Sequence, residues 1–80
     1  MEEKDIEQQI EELNKITRED GNENYAKAQF ALGYIYQEIK NNYDQAVAFY
    51  LNINKEDNLE VYAQAQFFLG YIYQKIKTQL

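Results

Sequence analysis

Apolar residues recur along this chain at helical spacing in four separate stretches, with turn-forming polar residues between them. Ile6, Ile10, Leu13 and Ile16 step by four, three and three, a single stripe on an otherwise charged segment, and predict a helix over about residues 3–18. Asp20-Gly21-Asn22-Glu23 closes that stretch and opens the next, and Asp57-Asn58-Leu59-Glu60 recurs later in the same role. In both, an aspartate with a glutamate three residues on has the form of a helix N-cap, each side chain answering a backbone amide that the first turn leaves unpaired. The second helix is predicted over about 22–40. Asn41-Asn42 makes the next turn, since asparagine tolerates left-handed backbone angles. Third and fourth helices follow over about 43–55 and 58–79.

The stretch from Tyr25 to Lys40 (YAKAQFALGYIYQEIK) returns as Tyr62 to Lys77 (YAQAQFFLGYIYQKIK), identical at 13 of 16 positions at an offset of 37. A looser match runs upstream at the same offset. It sets Ile6, Gln8, Ile10, Ile16 and Arg18-Glu19-Asp20 on Tyr43, Gln45, Val47, Ile53 and Lys55-Glu56-Asp57. A period of this size marks a helical array, in which one unit cannot bury its own apolar face and must stack on a neighbour. The expected architecture is all-α: an α-α superhelix of two 37-residue helix pairs, residues 5–41 and 42–78, with four antiparallel helices in one domain over 1–80. There is no proline. Gly33 and Gly70, in corresponding places, would each cost about 1 kcal/mol relative to alanine within a helix, so their repetition predicts a close approach between helices.

The run Ala26-Lys27-Ala28-Gln29-Phe30-Ala31-Leu32-Gly33-Tyr34-Ile35-Tyr36, followed by Tyr43-Asp44-Gln45-Ala46 and Phe49-Tyr50, resembles the tetratricopeptide and Sel1-like repeat families. Their shared signature is a small residue, Leu-Gly and an aromatic three residues later on the first helix of a unit, then Tyr-x-x-Ala and an aromatic pair on the second. The second copy carries Ala63, Ala65, Leu69, Gly70 and Tyr73. The interval exceeds the 34 residues of a tetratricopeptide unit, the proline common between units is missing, and the turn is shorter than in Sel1-like repeats and lacks their glycines. The chain accordingly resembles the broader tetratricopeptide-like superfamily.

That resemblance implies superhelical packing and a role in protein interaction, with no catalysis. It also implies a ligand groove lined by Lys27, Phe30, Ala31, Tyr34, Gln37 and Glu38 and by Gln64, Phe67, Phe68, Tyr71, Gln74 and Lys75. Such a groove would be aromatic with an amide rim, unlike those that clamp peptide carboxylates with lysine and asparagine. The alternative is that Phe30, Tyr34, Phe67 and Tyr71 pack between the helices as core, as most aromatics at helical spacing do.

The fourth helix is apolar around much of its circumference. By analogy with Leu32, Gly33 and Tyr36, its Leu69, Gly70 and Tyr73, with Ile76 beyond, are expected to face a helix that does not follow. An exposed apolar patch of this kind usually marks an interface. Twofold pairing of this helix with its mate, near Gly70, would make a homodimer, and exchange of like units between chains is a second route. A compact bundle that hides the patch, or a longer array that continues past it, are the other arrangements.

Charge refines this picture. The chain carries -6 overall, but residues 1–24 hold nine acids and three bases while 25–80 hold five of each. An acidic surface excludes a phosphate backbone or an anionic membrane as the expected partner and suits a basic protein. The opening MEEKDIEQQI has neither the basic start nor the apolar run of a secretory signal, and no stretch reaches membrane-spanning length. Cytoplasm is the default location. Histidine, cysteine and serine are all absent, removing the commonest general base and two commonest nucleophiles, and with them any thiolate metal site. No enzyme, cofactor or metal is expected. Pairs such as Glu11 and Glu12, or Glu19 and Asp20, read as a solvated helix face, and Lys40, Lys75 and Lys77 as surface charges. The expected function is therefore a non-catalytic protein-interaction module that binds a protein or peptide and associates with itself through its last helix. The alternative is a small acidic inhibitor or immunity-type protein that blocks a basic partner through Glu7, Glu11 and Glu12.

Overall fold

The computed structural model describes residues 3–78 and is all-α among them. Helix α1 spans Glu3–Asn14, α2 Asn22–Tyr34, α3 Tyr43–Leu51 and α4 Leu59–Thr78. A 3-10 turn, Arg18–Asp20, precedes α2, and a π-helical turn, Ile35–Ile39, extends it. The helices stack in chain order, each on the next, with α2 also reaching α4.

The contacts follow the apolar stripes. Ile10 of α1 meets Leu32 and Ile35 beyond α2's midpoint, with Ile6 and Leu13 beside them. The larger core joins α2, α3 and α4 through Ala26, Ala46, Tyr50, Ile53, Ala65, Leu69 and Ile72. Alanines at three of these places let the backbones approach, and Gly33 admits the Tyr50 ring, whose Cε1 would lie 2.5 Å from a Cβ added at position 33. Of the two glycines expected at close helix approaches, Gly33 is at one. Gly70 is not, with nothing within 4 Å of its Cβ position.

The helix ends differ from expectation where side chains took other work. α1 stops at Asn14, because Lys15 and Ile16 donate to Glu12 and Leu13 in tighter 3-10 bonds and Thr17 is extended. Thr17 then caps the 3-10 turn, and Asp20 returns its carboxylate to the Thr17 amide at 2.8 Å, so Asp20 does not cap α2. Asp57 does not cap α4 either. Asn58 does, accepting from the Val61 amide at 2.9 Å. α3 ends at Leu51, short of Lys55, and Asn42 caps its start by accepting from the Gln45 amide at 3.1 Å.

Between α2 and α3 the chain turns at Asn41, which holds a left-handed φ of 53°. The π turn before it is drawn by two bonds, Lys40 N–H to Ile35 carbonyl at 3.0 Å and Asn42 N–H to Tyr36 carbonyl at 2.7 Å. Widening the helix here brings Gln37 under α3, where it accepts a 2.8 Å hydrogen bond from the buried Tyr50 hydroxyl.

Candidate protein-interaction surface

α4 buries one side only. Ala65, Leu69 and Ile72 enter the core, and Ile76 packs against it. Ala63, Gln66, Phe67, Gly70, Tyr71, Tyr73 and Gln74 remain exposed. The expectation that Leu69 faces outward is corrected: it is 3% exposed and packs with residues of α3. Its counterpart Leu32 is buried too, so Leu-Gly marks a helix side that splits between two neighbours. Of the four residues expected to self-associate, Gly70 and Tyr73 are exposed, Leu69 is core, and Ile76 is half-buried on the core rim.

The implied groove divides in the same way. Phe68 is a hub, 5.6 Å from the Phe30 ring, 5.9 Å from Tyr50, 6.3 Å from Tyr34 and 5.7 Å from Phe67. Phe30 and Phe68 are thus packing residues, half-buried between helices, while Ala31 is half-buried on α2. Gln37 is corrected to a core position, engaged with Tyr50. Tyr34, Phe67 and Tyr71 keep about half or more of their surface in solvent, Phe67 most at 73%. Gln64, Gln74 and Glu38 are exposed, and Lys27 pairs at 3.0 Å with Glu23 one turn back. Lys75 lies over the Tyr71 ring at 5.7 Å, and the Tyr43 and Tyr71 phenols favour its charged form, raising its pKa. A shallow cavity of about 480 Å³ runs along the open side between Gln66, Phe67, Gly70, Tyr71 and Gln74.

At the opposite end of the stack, α1 also has an open edge. Leu13 and Ile16 are half-buried and line a cavity of about 310 Å³ with Gln9 and Glu12. Glu11 and Glu12 are exposed, while Glu7 is engaged by Lys40.

The periodicity did not show a clasp between the two loops. The Arg18 guanidinium forks onto Asp57, Nε to Oδ1 at 2.9 Å and a terminal nitrogen to Oδ2 at 2.8 Å, and also reaches the Asn52 carbonyl at 3.0 Å. The same Asp57 oxygen accepts from the Asn54 amide at 2.9 Å. The Arg18 hydrogen bond holds the Asp57 carboxyl below its usual pKa, and Asp57 in turn raises that of Arg18. The matching runs Arg18-Glu19-Asp20 and Lys55-Glu56-Asp57 were the available signal. They marked equivalent loops, yet not that the first residue of one reaches the last of the other.

Among the described residues no group of acidic side chains is placed to hold a metal ion, and no helix is long and apolar enough to cross a membrane. The surface offers apolar rings, amides and a concave edge. Compared with known proteins, the chain matches no family model, no curated protein and no solved structure.

Proposed function

We propose that this chain is a non-catalytic protein-interaction module of the tetratricopeptide-like kind, and that it works by burying the open side of α4 against another polypeptide, a further copy of itself included. The observation that carries this is the concentration of exposed apolar surface on one helix. Of seven large exposed hydrophobics among the described residues, four, Leu59, Phe67, Tyr71 and Tyr73, belong to α4. Isolated exposed rings are ordinary, but several on one helix beside a concave cavity support the reading of an interface. Because Leu69 is core, the contact surface is centred on Phe67, Gly70, Tyr71 and Tyr73.

Light scattering across a concentration series tests it. Wild-type protein is expected to exceed its 9.6 kDa chain mass as concentration rises, and Phe67→Glu or Gly70→Glu to abolish the increase. A wild-type chain that stays monomeric throughout, or an increase that survives both substitutions, overturns the assignment. The acidic-inhibitor alternative draws on exposed Glu11 and Glu12. It predicts a monomer whose binding to a basic protein weakens steeply with salt.

A further inference from the structure

Three of the contacts that join the first half of the chain to the second involve residues whose counterparts 37 residues on are exposed. Gly33 is covered by Tyr50, whereas its counterpart Gly70 is open. Gln29 is buried and accepts a 2.8 Å hydrogen bond from Asn52, whereas its counterpart Gln66 is exposed. Arg18 reaches Asp57, whereas its counterpart Lys55 is exposed. These three features lie at the α4 end of the stack.

The α1 end shows the complementary half. Tyr50 and Ile53, 0% and 2% exposed, are buried between helices, whereas their counterparts Leu13 and Ile16 are only half-buried. Asp57 has its counterpart in Asp20. Both aspartates make the same loop contact, Oδ2 to the amide of the residue three before, and Asp20 is exposed. One end of the molecule thus carries the lower half of the α2–α3 junction and the other end its upper half.

We propose that the partner of the α4 surface is a second copy of this chain, docked head to tail, with α1 of one copy lying on α4 of another in the pose that α3 takes on α2. This deepens the self-association proposed above and rests on it. Leu13 would enter the notch at Gly70 as Tyr50 enters the one at Gly33. Lys55 would meet the Asp20 of the next copy as Arg18 meets Asp57. Charge favours the match: in the antiparallel pose the acid-rich start of α1 comes beside the end of α4 that carries Lys75 and Lys77. The two surfaces differ, so the contact is heterologous and one pairing leaves both copies with a free end, giving assemblies that grow with concentration into open chains or rings.

The test is a mixing experiment with two variants, Gly70→Glu to block the α4 end and Glu12→Arg to block the α1 end. Both substitutions fall on exposed or open positions, and retention of fold is checked by circular dichroism. Glu11→Arg, the same charge change on another part of α1, is the control and should assemble as wild type does. Head-to-tail docking predicts that each blocked variant alone binds itself about tenfold or more weakly than wild type, the loss expected of a central interface contact. Mixed in equal amounts, they form a dimer that does not grow. If Glu12→Arg assembles like wild type and only Gly70→Glu fails, α4 pairs with α4, and the head-to-tail arrangement falls while the binding face stands. A monomeric wild type, or assembly unaffected by Gly70→Glu, removes both.

Discussion

The Tyr50 ring lies against Gly33 so closely that three of its carbons would fall within 3 Å of a Cβ there. Gly70, in the same sequence context, meets nothing within 4 Å. One substitution therefore has opposite signs at two matching positions. Gly33→Ala is expected to destabilise by about 1–3 kcal/mol, since a core ring must shift. Gly70→Ala should stabilise the monomer by about 1 kcal/mol through helix propensity alone. Thermal melts at low concentration read both.

Tyr50 also sets the behaviour at high pH. Burial raises the pKa of its phenol, and the hydroxyl donates to Gln37. The folded-state pKa lies above the unfolded value of 10.0, so this contribution to stability is complete below that value and is lost as pH rises through the folded pKa. Melting temperature should fall steeply above about pH 10, and Tyr50→Phe should flatten the fall. At neutral pH the same variant should cost about 1 kcal/mol for the lost buried hydrogen bond. An unchanged alkaline slope in Tyr50→Phe would assign the transition to other groups.

The Arg18–Asp57 clasp governs the acid side. Asp57 has a folded pKa below its unfolded value, so its contribution is present above the unfolded value and disappears as pH falls through the folded one. Asp57→Ala removes three charge-assisted or backbone hydrogen bonds and should lower stability by about 2 kcal/mol at neutral pH. The gap between variant and wild type should narrow as the solution is acidified below the ordinary carboxylate range. A gap that stays constant with pH would mean the aspartate acts by shape rather than charge.

Phe67 and Phe68 are neighbours with opposite roles. Phe68→Ala removes the ring that touches Phe30, Tyr34 and Tyr50 and should cost about 3 kcal/mol as a packing loss. Phe67→Ala trims a largely exposed ring and should change stability by no more than about 0.5 kcal/mol, while reducing the binding of a hydrophobic dye. Denaturant titration separates the pair, and equal losses would return Phe67 to the core.

The apolar periodicity by itself determined that four helices form and roughly where, because a stripe at helical spacing has only one way to reach a common core. The sequence repeat aligned α1 with α3 and α2 with α4. Which face of each helix is covered could not be read this way: Leu69 and Gly70 are adjacent in sequence, yet one is core and the other open, according to which neighbours are present. The capping aspartates misled for a related reason, since Thr17, Asn54 and Arg18 offered them better-placed donors than the amides of the next helix. The segments Gly33 to Lys40 and Gly70 to Lys77 differ only at Glu38 and Lys75, but the first takes a π turn while the second stays α-helical. Nearly the same residues take both forms. At the first segment the chain turns through Asn41 into α3, and Gln37 finds the Tyr50 hydroxyl; at the second no described helix covers that side, and the regular ladder of backbone hydrogen bonds continues unopposed.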